Sequence, residues 1–172
     1  MNRLILPIAA MAAVVVASNI LVQYPINDWL TWGALTYPFA FLITDLTNRA
    51  AGASAARRVV CVGFLIAVVM SAFLATPRIA AASGAAFLTA QLLDVYLFDR
   101  LRNVGKWWTA PLASSTVGSA LDTAVFFAGA FAFTPVPWVT LGLGDYAVKL
   151  GLALLMLIPF RVAIRTVLAK PA

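Results

Sequence analysis

The sequence predicts an all-α integral membrane protein, a six-transmembrane-helix bundle with its N-terminus and C-terminus in the cytoplasm. Of its 172 residues, 63% are hydrophobic and 10% are charged, whereas soluble domains have about 45–50% and about 25%. The apolar residues form runs separated by short polar stretches, and basic residues flank these runs. No linker divides the chain, so we expect one transmembrane domain over residues 1–172. The expected spans are residues 4–22, 33–51, 59–74, 79–98, 110–133 and 144–162.

The first three spans are read from apolar length and from the polar residues between them. The first run is long enough to cross a bilayer, which takes about 20 residues, although its start also resembles a secretory signal. A polar loop containing Asp28 leads to the interfacial Trp32 and the second span. A small-residue turn ending in Arg57 and Arg58 should lead into the third span.

The last three spans are delimited by proline and by a basic loop. Pro77 lies in the turn before the fourth span, because proline rarely continues a helix. The basic stretch 99–106 separates the fourth span from the fifth. Residues 134–143 contain Pro135 and Pro137 and should form the loop before the sixth span.

The basic residues predict the orientation. With the N-terminus inside, ten of the twelve Lys and Arg residues face the cytoplasm, as the positive-inside rule requires. They are Arg3, Arg49, Arg57, Arg58, Arg100, Arg102, Lys106, Arg161, Arg165 and Lys170. Because these charges lie at span ends and form no single patch, they indicate a lipid bilayer as partner and no nucleic acid.

Composition excludes several kinds of chemistry. The chain has one cysteine and no histidine, which rules out an internal disulfide, Cys-cluster or His-ligated metal sites and a Ser-His-Asp triad. An intramembrane Ser–Lys enzyme would pair Ser114 or Ser115 with Lys149, but the predicted topology places them toward opposite faces. We therefore predict no enzyme, no metal and no cofactor.

Three aspartates are predicted at membrane depth, namely Asp45, Asp94 and Asp122. An ionisable group in hydrocarbon costs at least about 2.5–3.5 kcal/mol, so it normally faces a partner or a cavity. The other three aspartates are expected to be solvated or to cap helices: Asp28, Asp99 and Asp145.

Polar residues spaced three or four apart extend each of these aspartates into a stripe on one helix face. Lipid cannot satisfy such stripes, so they should converge on an interior site, unless they only join helices by hydrogen bonds. Lys149 is either a surface partner of Asp145 or a counter-charge for the buried carboxylates. Tyr37 and Phe41 add aromatic faces that suit a planar heterocycle. The candidate substrate-binding residues are Asn19, Tyr37, Phe41, Asp45, Asn48, Gln91, Asp94, Ser115, Ser119, Asp122 and Lys149.

Seven segments, in order between about residues 18 and 168, resemble the queuosine precursor transporter family, formerly called a vitamin uptake family. They are SNILVQYP, TWGALTYPFAFLITDLTNR, GASAARR, QLLDVYLFDRLR, WWTAPLASS, LDTAVFF and DYAVKL. The chain departs from the family at Arg49, where many members carry an acidic residue.

The resemblance implies uptake of a 7-deazapurine substrate through the bacterial cytoplasmic (inner) membrane. The implied substrates are 7-cyano-7-deazaguanine and its aminomethyl relative, which are salvaged for the queuosine modification of tRNA. One of the three membrane-depth aspartates would accept the ring N–H and the exocyclic amine, and Gln91 or Asn19 would recognise the ring carbonyl. A secondary carrier is the main hypothesis, since the chain has no Walker-type loop. The alternative is the substrate-binding subunit of a multi-component vitamin or nucleobase importer, and a homo-oligomer is compatible with either.

Overall fold

The computed structural model describes residues 4–21, 24–27 and 30–166, which form helices and one short hairpin. Arg3, Asp28 and Lys170, used in the topology prediction, lie outside the described residues. The elements are α1 Ile5–Leu21, β1 Pro25–Asn27, β2 Leu30–Thr31, α2 Trp32–Thr36, α3 Pro38–Ala51, α4 Ala53–Leu74, α5 Pro77–Leu101, α6 Thr109–Phe131 and α7 Trp138–Thr166. The two strands pair antiparallel.

Three of the described helices, α4, α5 and α7, are long and apolar enough to cross a membrane. Helix α1 is apolar but shorter. Large apolar side chains point outward from α4 and α7, among them Leu65, Phe73, Leu154 and Ile158. In water such surfaces would be costly, but a bilayer solvates them. The architecture is that of a helical membrane protein.

The region predicted as the second span is two helices, α2 and α3, joined at Tyr37. Pro38 opens α3, where its missing N–H has no intrahelical partner to lose. At the other end, Gly52 has a φ of 84°, a left-handed value that glycine adopts without a Cβ clash. Helix α4 therefore begins at Ala53, and Arg57 and Arg58 lie inside it instead of in the predicted turn.

The loop predicted over residues 134–143 is shorter than expected, because α7 already begins at Trp138. Pro137 directly precedes α7, and its carbonyl accepts a hydrogen bond from the Leu141 N–H in the first turn of the helix. Gly142 remains helical, and a Cβ built there would lie 3.5 Å from the Phe127 ring. That distance is an ordinary van der Waals contact, so α6 and α7 are in contact at this position.

Helix α3 occupies the interior of the bundle. It is only 14 residues long, yet it contacts α1, α4, α5, α6 and α7. An apolar core of Met11, Val15, Val59, Val60 and Phe87 packs α1, α4 and α5 together beside it. The polar face of α3 is therefore covered by protein.

Candidate substrate site

Asp45 of α3 and Asp94 of α5 form a buried carboxylate pair. Asp94 is 0% exposed and Asp45 is 2% exposed. The two carboxyl groups are close enough for a hydrogen bond if one of them carries a proton. The Ser114 hydroxyl of α6 donates a long bond to Asp45 Oδ1, at 3.4 Å. Among the described residues neither oxygen of Asp94 accepts a hydrogen bond of ordinary geometry, although the Ser114 hydroxyl also lies near it.

Gln91 lies one helical turn before Asp94 and is also fully buried. Its Oε1 lies 2.7 Å from the Thr44 hydroxyl, while its Nε2 has no partner. If the amide were turned over, Nε2 would meet Thr44 and Oε1 would be the atom without a partner. In either orientation one amide atom remains free beside the unbonded carboxylate of Asp94.

A second polar group, the ion-pair cluster, consists of Tyr37, Asp122, Thr123, Asp145 and Lys149. Lys149 Nζ donates to Asp122 Oδ2 at 2.8 Å and to Thr123 Oγ1 at 3.1 Å, and it forms an ion pair with Asp145. Tyr37 donates to Asp122 Oδ1 at 2.9 Å, and Thr123 donates to Asp145 Oδ2 at 2.8 Å. Each carboxylate therefore has a cation and a hydroxyl donor.

Lys149 pairs with Asp145, but because Lys149 is buried the interpretation of this pair as a surface pair is wrong. The other interpretation, a counter-charge for a buried carboxylate, agrees with its contact with Asp122. The expectation that Asp145 would be solvated or capping is wrong. Helix α7 begins seven residues before it, so Asp145 lies about two turns inside the helix, and its side chain is 17% exposed.

Helices α3 and α6 contribute to both polar groups. Eight residues separate Tyr37 from Asp45 along the chain, as they do Ser114 from Asp122, which corresponds to about 12 Å of helix. The buried Phe41 lies on α3 between them. Its ring faces Gly118 of α6 so closely that a Cβ there would approach it to 2.9 Å. An aromatic layer thus lies between the carboxylate pair and the ion-pair cluster.

The other predicted residues fall into two groups. Ser115 and Ser119 are buried on α6, and Ser115 lies beside Asp45. Asn48 and Asn19 lie elsewhere. Asn48 Nδ2 donates to the Val95 carbonyl at 3.0 Å, and Asn19 accepts from Ser71 of α4 at 3.2 Å. These two asparagines join helices at either end of the bundle.

Four members of the polar groups were not among the candidates: Thr44, Ser114, Thr123 and Asp145. Thr123 directly follows Asp122, and adjacent residues do not share a helix face. It reaches the ion-pair cluster because its hydroxyl meets α7, which spacing within α6 does not reveal. The contact of Thr44 with Gln91 crosses from α3 to α5, so spacing within α3 does not reveal it either.

An apolar groove of about 440 Å³ lies elsewhere, between α4 and α5. It is lined by Phe64, Val68, Ala72, Ala75, Pro77, Ala80, Ala81, Gly84 and Ala85. None of these side chains can donate or accept a hydrogen bond, so the groove lacks the polar groups that would orient a polar ligand. Among the described residues, no group of three or more His, Cys, Asp or Glu could hold a metal ion.

Known proteins match this chain over the helices that carry both polar groups. A family model described as "Putative vitamin uptake transporter" matches residues 31–75 and 69–164. The chain is 36% identical to a "Probable queuosine precursor transporter" of Haemophilus influenzae, and 36% identical to the "Queuosine precursor transporter" of Escherichia coli. Each alignment covers 91% of this chain and 84% of the relative.

A more distant relative, a "Probable queuosine precursor transporter" of Bacillus subtilis, is 27% identical over 74% of this chain and 68% of its own length. No solved structure gives a significant match. The family-model match and the two 36% identical relatives cover most of the described helices, including both polar groups. The chain therefore belongs to the queuosine precursor transporter family.

Proposed function

We propose that this protein imports queuosine precursors, 7-cyano-7-deazaguanine or its aminomethyl relative, through the bacterial cytoplasmic membrane. The names of the curated relatives support this substrate class. In this proposal six spans cross the bilayer with both termini in the cytoplasm, α2 and α3 together forming the second span. The chain acts alone, as a secondary carrier.

The observation that carries the proposal is the set of unpaired polar atoms on α5. A 7-deazaguanine presents a ring carbonyl, a ring N–H and an exocyclic amine along one edge. Asp94 offers two carboxylate oxygens without donors, and Gln91 offers a free amide atom one turn away. A carboxylate accepts the two N–H groups and an amide N–H donates to the carbonyl. Buried polar groups are rarely left unpaired, and binding of a polar ligand would account for these unpaired atoms.

The ion-pair cluster has a different part in the proposed cycle. Its carboxylates already hold Lys149 and two hydroxyl donors, so they compete poorly for the base. The cluster joins α3, α6 and α7 on the outer side of the carboxylate pair. Together with Phe41 it closes the route to Asp94, which the base reaches when these helices separate.

Uptake of radiolabelled 7-cyano-7-deazaguanine tests the proposal, with Asp94→Asn as the variant. Asparagine loses a charged acceptor and turns an N–H toward the donors of the base. An unpaired buried donor costs about 1–3 kcal/mol, so we expect uptake at low base concentration to fall about 5–150-fold. Asp99→Asn is the matched control, because this partly exposed carboxylate on the same helix pairs only with Arg102 at the surface.

Equal uptake by the Asp94→Asn variant, the control and the unmodified protein would refute this site. Competition by guanine and by hypoxanthine adds a ligand-side test. Hypoxanthine lacks the exocyclic amine, so it should inhibit uptake of the labelled base by the unmodified protein less strongly than guanine does. Uptake by the purified chain in vesicles distinguishes a carrier from a subunit of a multi-component importer, because only the carrier works without an ATPase.

A further inference from the structure

The carboxylate pair is short of positive charge. The ion pairs among the described residues join Asp99 to Arg102, and Asp122 and Asp145 to Lys149. None of them includes Asp45 or Asp94. The pair is also poorly supplied with donors. Among the described residues the hydroxyls beside it are Ser114 and Ser115, the Ser114 bond to Asp45 is long at 3.4 Å, and neither Asp94 oxygen accepts a hydrogen bond of ordinary geometry.

The helices packed around the pair carry other charged and titratable groups, and none of these forms an ion pair with it. On α3, Arg49 donates to the Arg102 carbonyl, and Arg102 of the following loop donates to the Asn48 carbonyl. On α6 and α7, Asp122 and Lys149 belong to the ion-pair cluster with Tyr37. The remaining groups on these elements are Arg57, Arg58 and the exposed Cys61 of α4, Arg78, Tyr96, Asp99 and Arg100 of α5, and Asp145, Tyr146, Arg161 and Arg165 of α7. None of them forms an ion pair with Asp45 or Asp94.

Two ionised carboxylates in this position would both be acceptors facing each other. They would repel across a short distance in a medium of low dielectric, where charges interact more strongly than in water. A carboxylic acid, by contrast, donates one O–H. One proton on the pair removes the repulsion and supplies the missing donor to Asp94.

We propose that Asp45 and Asp94 together bind one proton, and that this proton enters the cell together with each imported base. The inference rests on the proposed transport function and adds its driving force. Asp45 holds the proton and donates it to Asp94. The site then carries one negative charge instead of two.

The base and the proton bind together without competing. An ionised carboxylate offers about four lone-pair positions. Asp94 can accept the O–H of Asp45 at one of them and the two N–H groups of the base at others. The proton enters from the outside before the site closes. It leaves to the cytoplasmic water when the site opens inward, and no bond of the base is made or broken.

The test is made on the purified protein in sealed vesicles with a pH-sensitive dye inside. The substrate is 7-cyano-7-deazaguanine, which is uncharged, so that the charge moved belongs to the proton. With equal pH on both sides and an inside-negative potential of 100 mV, one proton per base allows about 50-fold accumulation. We expect this accumulation, and we expect the dye to report one proton entering the vesicle for each base that enters.

The alternative outcomes separate the two proposals. If the base enters and only equilibrates, or enters without acidification, the proton inference is overturned and the transport function stands. Accumulation that requires sodium and leaves the internal pH unchanged overturns it in the same way. If no base enters, the transport function fails and the proton inference fails with it.

Asp45→Asn provides the matched variant. Its amide keeps the shape of the side chain and can donate to Asp94, but it cannot gain or release a proton. The number of protons entering per base should fall from one to near zero. Asp99→Asn should keep the value of one. An unchanged number of protons per base in the Asp45→Asn variant would overturn the assignment of the proton to Asp45. If this variant does not fold, the measurement on the unmodified protein still shows whether a proton enters with each base.

Discussion

Lys149→Met tests whether the ion-pair cluster stabilises the bundle. The ammonium group of Lys149 is buried, with the residue 6% exposed. It contacts Asp122 at 2.8 Å, Thr123 at 3.1 Å and also Asp145. Methionine matches much of the apolar length of the side chain. The substitution therefore removes the charge and leaves the buried Asp122 and the partly buried Asp145 without a cation.

The expected loss follows from these distances. At 2.8 Å and an effective dielectric constant of about 20, the attraction between Lys149 and Asp122 is about 6 kcal/mol before desolvation is subtracted. Removing one partner of a buried pair costs about 3–5 kcal/mol in proteins, because the other charge stays buried and uncompensated. We expect the Lys149→Met variant to lose about 3–5 kcal/mol of unfolding free energy.

The assay is reversible unfolding in mixed detergent and dodecyl sulfate micelles, followed by tryptophan fluorescence. Lys106→Met is the control, because Lys106 is exposed in the loop after α5 and should change stability by less than about 0.5 kcal/mol. Adding Asp122→Asn to Lys149→Met removes one uncompensated charge and should recover about 1–3 kcal/mol. Equal stability of the two lysine variants would refute the electrostatic argument.

Two further predictions are measured by the same unfolding assay, one on a close contact between helices and one on a buried hydrogen bond. Gly118→Ala places a Cβ 2.9 Å from the Phe41 ring and should destabilise by about 1–3 kcal/mol. Gly151→Ala, in open space on α7, should instead stabilise by up to about 1 kcal/mol, and equal effects would refute the close contact. Asn48→Ala removes a buried hydrogen bond to the α5 backbone and should cost about 1–2 kcal/mol. Asn103→Ala at an exposed position should cost less than about 0.5 kcal/mol, and a similar loss in both asparagine variants would contradict the structural role of Asn48.

Much of the architecture was predictable because the hydropathy of a membrane-spanning segment can be read from consecutive residues of the sequence. The apolar runs predicted a helical membrane protein, and α4, α5 and α7 have the length and composition to cross a bilayer. The errors lie at element ends. The loops that end at Gly52 and Pro137 are shorter than expected, so α4 and α7 begin earlier than their predicted spans. A single glycine or proline can end a loop, and composition does not reveal how few residues a turn needs.

The polar side chains were predictable as a set but not as an arrangement. Asp45, Asp94 and Asp122 were expected to share one interior site. In the structure Asp122 binds Lys149, whereas Asp94 faces Asp45 and carries no ion pair. Asn19 was a substrate candidate by spacing, yet it meets Ser71 of α4.

The chain's composition and motifs alone were enough to indicate a helical membrane protein of a transporter family, and helical spacing showed which polar residues share a face. The membrane architecture and the shared helix faces depend on apolar length, charge and residues three or four apart, all of which are local, whereas the family was indicated by the resemblance of seven segments. Only the tertiary structure decided that the polar faces form two groups, with Phe41 and Gly118 between them. Which helix meets which depends on how side chains of distant segments pack. That packing leaves Asp94 and Gln91 with unpaired atoms and gives Asp122 and Asp145 their cation.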